Sequence, residues 1–130
     1  MVDSSRLPAD VYSARCPTRQ MLDRLANKWT VLVVDALATG TMRYSELHRR
    51  IEGVSQKMLT QTLRELETDG FVKRTVTPTT PPRVDYELTD LGISLQAPIS
   101  AIRTWTEEHI NDVERARVRV AEDRTTIGLR

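Results

Sequence analysis

One stretch restricts this chain more than any other: Ser55 to Asp85, SQKMLTQTLRELETDGFVKRTVTPTTPPRVD. From Ser55 to Asp69 it contains neither proline nor glycine. Ser55 can cap a helix by accepting from a backbone N–H of the first turn. Gly70 can take the left-handed conformation that closes one. At about 100° per residue, Met58, Leu59, Leu63 and Leu66 share one side of that helix, and Lys57, Thr60, Gln61, Arg64 and Thr68 the other. Residues 71–77 then alternate as a strand rich in β-branched side chains. Pro78-Thr79-Thr80-Pro81-Pro82 cannot pair in a sheet, because proline lacks the N–H donor. A second alternating strand follows from Arg83 to Leu88. The order is helix, turn, strand, stiff tip, strand.

The outward side of this helix is not the glutamate–lysine mixture of a solvated surface. Hydroxyls, an amide and two cations are the groups that bond base edges and phosphates in a major groove. A polar surface helix is the bland counterpart, and the helix alone fits both. The hairpin adds Arg74 and Arg83 beside a rigid tip, which suits phosphate contact. Its bland counterpart is a structural hairpin with solvated arginines.

Upstream, Cys16-Pro17 opens a first helix with proline at a favoured position, and Met21, Leu22 and Leu25 give it an apolar stripe. A second helix starts at Asn27-Lys28-Trp29 and is apolar on most sides, which predicts a central buried helix. Residues 41–44 suit a small strand against the hairpin. Ser45 is placed to cap a third helix over residues 46–51, ahead of a turn at Glu52-Gly53-Val54. Short helix, glycine turn and capped helix make a helix-turn-helix. Downstream, Thr89-Asp90 caps a long helical pattern, with Leu91, Leu95, Ile99, Ile102, Trp105, Ile110 and Val113 at helical steps. Pro98 falls inside that pattern and predicts a kink.

Charge excludes little: 19 Lys+Arg against 18 Asp+Glu leaves a net charge of +1. Its distribution says more. Between residues 43 and 83 there are eight cations and five acids, a mild basic footprint. A single cysteine leaves no internal disulfide framework and fits a reducing cytosol. No apolar run approaches the ~20 residues of a membrane span, and residues 1–10 carry no secretory core. The expectation is a cytoplasmic protein without membrane contact. His48 and His109 stand alone, so no metal site is expected, and no cofactor motif or catalytic signature appears.

With these elements placed, the chain resembles the HxlR-type regulators, a branch close to the MarR winged-helix proteins. The words that carry the resemblance are Cys16-Pro17, Lys28-Trp29-Thr30, Arg43-Tyr44-Ser45-Glu46-Leu47, Ser55-Gln56-Lys57-Met58-Leu59-Thr60 and Leu63-Arg64-Glu65-Leu66-Glu67. Asp69-Gly70-Phe71-Val72, residues 81–89 from Pro81 to Thr89, and Leu91-Gly92 complete the run, over roughly residues 16–110. One departure is Ala26-Asn27, where such proteins usually carry two glycines; it can tighten the entry to the second helix. The resemblance implies a homodimeric, DNA-binding transcription regulator, not an enzyme, joined through terminal helices. In several such regulators a cysteine at the position of Cys16 senses oxidants, quinones or aldehydes.

The expected fold is mostly α with a small β-wing: a winged helix-turn-helix with N- and C-terminal dimerisation helices. Residues 15–124 form that domain, 1–14 a flexible arm and 125–130 a flexible tail. Lys57, Thr60, Gln61 and Arg64, with Gln56 near the helix start, are the candidate groove contacts. Ser45 and Ser55 sit at helix starts where N–H groups face phosphate. Arg43, Arg49, Lys73, Arg74 and Arg83 are candidate phosphate contacts, and Thr79 and Thr80 ride on the wing tip. Met21, Leu22, Ile102, Trp105, His109, Ile110 and Val113 are the candidate dimer interface. The expected partners are double-stranded DNA at an inverted-repeat operator, a second copy of the chain, and a small-molecule or oxidant effector. Two readings of Cys16 stand, a sensor and a structural thiol. The competing functional class is a winged-helix module that binds protein and not DNA.

Overall fold

Capping groups set where the helices begin. The computed structural model describes residues 9–126 and runs α1 (Pro17–Leu25), α2 (Lys28–Leu37), β1 (Met42–Arg43), α3 (Tyr44–Arg50), α4 (Gln56–Thr68), β2 (Val72–Thr77), β3 (Arg83–Leu88), α5 (Asp90–Ile93) and α6 (Gln96–Thr126). Cys16 is the N-cap of α1, with Pro17 at the first helical position. Asn27 caps α2, its Oδ1 accepting from Trp29 N–H at 2.9 Å. The departure from a glycine pair at residues 26–27 therefore supplies a cap acceptor that glycine lacks. Ser55 Oγ accepts from Met58 N–H at 3.1 Å at the start of α4.

Two boundaries differ from the expectation. First, α3 begins at Tyr44 with Arg43 as N-cap, so Ser45 lies in the first turn and does not cap it. Glu46 decides this: its carboxylate reaches back to accept Arg43 N–H at 3.1 Å, satisfying that donor without the serine. Second, the downstream pattern is not one kinked helix. Thr89 caps the short α5, accepting Gly92 N–H at 3.1 Å, and the chain breaks before α6. Pro98 lies in the first turn of α6, where a missing N–H costs no helical bond, so no kink is needed.

The strands form an antiparallel sheet in the order β1-β3-β2. Met42 pairs with Tyr86, and β2 pairs with β3 from Val72–Leu88 to Thr77–Arg83. The small strand expected at residues 41–44 is thus present against the wing. The core sits between α2, α3, α4 and the base of the sheet: Val33, Val34, Leu37, Leu47, Ile51, Leu59, Leu63, Leu66, Phe71, Val72 and Tyr86 are buried. Helix α2 is largely buried, as expected: Thr30, Val33, Val34, Ala36 and Leu37 are buried and Trp29, Val31 and Asp35 half-buried, which leaves Lys28 and Leu32 exposed.

The base of the wing is bolted to the end of α4. Gly70 has φ +82°, the left-handed closure that its residue type allows. Thr89 Oγ1 donates to Gly70 O at 2.6 Å, and Thr89 N–H donates to Phe71 O at 3.0 Å. Gly92 packs so tightly here that a Cβ would stand 2.1 Å from Phe71 O.

From Ala97 the chain forms a separate unit, the body of α6. Ion pairs one turn apart line it: Arg103–Glu107 at 2.7 Å, Arg117–Glu114 at 2.6 Å, and Arg115 with Asp112. Ile102, Trp105, Ile110, Val118 and Val120 are exposed along it. The helix includes Thr125 and Thr126, the first two residues of the expected tail. Residues 1–8 and 127–130, the rest of the expected arm and tail, lie outside the described residues.

Candidate nucleic-acid interface

The turn between α3 and α4 passes through Gly53 at φ +86° and delivers Ser55 as the cap of α4. The buried side of α4 is Leu59, Thr62, Leu63 and Leu66. That leaves Gln56, Lys57, Gln61 and Arg64 exposed and Thr60 half-buried on the other side. Thr62 is the surprise of the inner face, at 3 % exposure, and it replaces Met58, which is half-buried.

The outward side lines a shallow concavity of about 670 Å³ with Tyr44, Gln56, Lys57, Thr60, Gln61 and Arg64. A second hollow of about 350 Å³ continues it toward the wing, shared by Thr60, Leu63, Arg64, Glu67, Arg74 and Tyr86. Tyr44 is a residue that sequence reasoning missed. Its hydroxyl lies 3.0 Å from Gln56 O and 3.2 Å from Thr60 Oγ1. Contacts across 12 and 16 residues leave no periodic mark that could have pointed to it. Gln61 donates to Glu65 at 3.2 Å, and Glu65 and Asp69 also take Arg24 of α1 at 3.5 and 3.2 Å.

The sheet register divides the wing cations. Arg74 pairs with Tyr86 and shares the face that looks into the second hollow. Lys73, opposite Glu87, and Arg83, opposite Thr77, lie on the other face. Arg83 is also engaged by Asp85 at 3.0 Å. Arg43 pairs with Asp85 across β1–β3 and shares that face, while Arg49 is exposed in the last turn of α3. Ser45 is exposed in the first turn of α3. At the tip, Thr79 Oγ1 donates to Pro81 O at 2.9 Å, and Thr80 is exposed. Thus Gln56, Lys57, Thr60, Gln61, Arg64 and Arg74 come together on one surface; Lys73 and Arg83 do not join it.

The single thiol lies at the start of α1 and is 3 % exposed. Cys16 Sγ is 2.9 Å from Thr18 Oγ1 and accepts Asp10 N–H at 3.3 Å, in a turn closed by Ser13 and Cys16 amides. The Thr18 hydroxyl bond holds the thiol pKa below its ordinary value; burial opposes it, and the Asp10 and Thr18 amides assist. In α1, Met21 is half-buried and Leu22 exposed. In α6, Trp105 stacks on His109 with centroids 4.5 Å apart, and Trp105 and Ile102 are 55 % and 54 % exposed. His109 and Val113 are half-buried and Ile110 is exposed. Lys28 sits 4.6 Å over the Trp29 ring, a cation–π contact within α2. Among the described residues no group of His, Cys, Asp or Glu could hold a metal, and no helix is long and apolar enough to cross a membrane.

Comparison with known proteins places this geometry. The family model described as HxlR-like helix-turn-helix matches residues 24–114. The HTH-type transcriptional regulator YtfH of Escherichia coli (strain K12) is 41% identical over 104 residues, covering 80% of this chain and 82% of that protein. The solved structure of the transcriptional regulator ytfH from Salmonella typhimurium superposes with a TM-score of 0.80 at 39% identity, over 85% of this chain and 98% of that one. The redox regulator HypR in its oxidized form superposes with a TM-score of 0.66 at 36% identity, over 72% of this chain and 96% of that one.

Proposed function

The chain belongs to the HxlR-like helix-turn-helix family, whose members are transcriptional regulators and not enzymes, and we propose that it acts as a homodimer on a double-stranded DNA operator with inverted-repeat symmetry. The observation that carries this reading is the α4 surface. Lys57, Thr60, Gln61 and Arg64 line one concavity, and Arg74 extends it at the wing. Helix α4 enters the major groove in this reading. Gln56, Lys57, Thr60, Gln61 and Arg64 meet base edges, and Arg74 meets the flanking phosphates. Ser45, Ser55 and Arg43 hold the DNA backbone beside the helix starts, and Arg49 meets it from the last turn of α3. Lys73, Arg83, Thr79 and Thr80 serve the far side and tip of the wing. The protein works in the cytoplasm, in contact with DNA and not with membrane.

A second copy covers the apolar surface of α6 at Ile102, Trp105, His109, Ile110 and Val113, and Met21 and Leu22 of α1 also serve the dimer in this reading. A two-fold axis then sets two α4 helices to successive major grooves about 34 Å apart. Residues 15–124 act as the regulator.

Cys16 gates this binding. Its lowered pKa favours the reactive thiolate, and HypR supports a redox role by analogy. With one cysteine in the chain, the products open to it are a Cys16–Cys16 bridge between protomers, a mixed disulfide, or an adduct with an electrophilic effector.

The test is selection of bound fragments from a random DNA pool, followed by titration of the selected site at several salt concentrations, with and without mild oxidant. The expected result is an inverted repeat, an affinity that falls steeply with salt, and an oxidant response abolished in Cys16→Ser. Arg64→Ala should weaken the selected site by about 1–3 kcal/mol, and Arg74→Ala should weaken all DNA alike and flatten the salt slope. Enrichment of no sequence, with affinity indifferent to salt, overturns the reading.

A further inference from the structure

The phenol of Tyr44 stands between two oxygens of α4, Gln56 O at 3.0 Å and Thr60 Oγ1 at 3.2 Å. A phenol carries one proton. A backbone carbonyl can only accept, so that proton goes to Gln56 O. The second bond then runs the other way: the Thr60 hydroxyl donates to the phenol oxygen. Thr60 has one hydroxyl proton as well. With that proton committed to Tyr44, Thr60 Oγ1 turns lone pairs alone toward the two hollows that it lines.

The major groove offers two kinds of base edge to such an atom. Adenine N6 and cytosine N4 are amino donors; guanine O6 and N7 and thymine O4 are acceptors. An acceptor-only oxygen bonds the first kind and meets the second as an unpaired, repelling pair. The geometry points to Tyr44 as a specificity-determining residue. It fixes Thr60 as an acceptor-only reader that selects an amino base, adenine or cytosine, over a keto base, guanine or thymine, at the strand position Thr60 faces. This rests on the reading that α4 enters the major groove. Tyr44 acts as a positioning residue, through the threonine.

Tyr44→Phe removes the oxygen and keeps the ring, which lies 6.3 Å from His48, centroid to centroid, in parallel. The Thr60 proton then swings outward, and the hydroxyl can donate or accept. The experiment is random-pool selection and sequencing with the full chain, as wild type, Tyr44→Phe, Thr60→Val and Thr60→Ser. The wild type should show, once in each half-site, a preference of roughly 2- to 10-fold for A or C over G or T, the size of one net hydrogen bond. Tyr44→Phe and Thr60→Val should erase that preference and keep the rest of the motif, whereas Thr60→Ser should retain it. A wild type that enriches a motif without an amino-over-keto position overturns the proposal. So does a Tyr44→Phe protein that keeps the preference, or one that loses every position equally, which would make Tyr44 a general support for the helix. If Tyr44→Phe does not fold, Thr60→Val carries the same decision. A wild type that enriches no sequence at all overturns the DNA reading, and the proposal with it.

Discussion

Helix α4 and helix α6 solve opposite problems. Helix α4 has 13 residues and buries Leu59, Thr62, Leu63 and Leu66 against its own chain. Ser55 caps one end, and Gly70 closes the other with Thr89 bonded to it. Helix α6 has 31 residues, one of which, Ile99, is buried. Its apolar residues Ile102, Trp105 and Ile110 remain exposed. The first helix is placed by intrachain packing, which sets the orientation of its polar side. The second carries an apolar stripe that the chain leaves uncovered, and such a stripe calls for a partner.

The contrast can be broken most directly in α4. Leu66→Ala removes a fully buried side chain and should cost about 2–5 kcal/mol of unfolding free energy. Because the lost packing is intrachain, denaturant midpoints should fall equally at all protein concentrations; a concentration-dependent loss would place Leu66 in an interface. Trp105→Ala is the mirror experiment. It should raise the dimer dissociation constant by an amount on the order of 2 kcal/mol while leaving the monomer folded, read by sedimentation. An unchanged dissociation constant would move the interface away from α6.

Smaller effects sharpen the same comparison. Ser55→Ala should cost about 1 kcal/mol, because Met58 N–H loses its acceptor and the first turn of α4 frays. Stability unaltered in thermal unfolding would mean that water caps the helix as well as serine does. The smallest effect is at Cys16. A thiol with a lowered folded pKa stabilises the fold above its unfolded pKa, and that contribution disappears as pH falls through the folded pKa. Thr18→Val removes the main cause and should move the thiolate absorbance titration upward. A titration curve identical to wild type would assign the shift to the Asp10 and Thr18 amides instead.

Much of α4 was legible because its signals are local. A serine cap, a four-residue apolar rhythm and a closing glycine each act within a turn or two of themselves. The wing was legible for a similar reason, since prolines at 78, 81 and 82 end any pairing at the tip. Pro98 shows where that logic stops. The apolar rhythm continues past Ser94, so periodicity alone joins α5 to α6, although the hydrogen-bonded helix breaks there. The start of α3 was misplaced because the carboxylate of Glu46 competes with Ser45 for the capping role, and spacing does not rank the two.

What the sequence by itself determined is the order of elements as far as β3, the polar side of α4, the tip of the wing and the place of Cys16 at the start of α1. Each follows from backbone preferences acting over a few residues. The tertiary structure alone decided which cations share the α4 surface, since sheet register turns Arg74 toward it and sets Lys73 and Arg83 on the far face. It alone brought Tyr44 against Gln56 and Thr60. Those contacts depend on where α3 and α4 sit, and both are set by packing on α2, with Leu47, Leu59 and Leu63 buried. A hydrogen bond between residues far apart in sequence is a consequence of that packing, and no local preference encodes it.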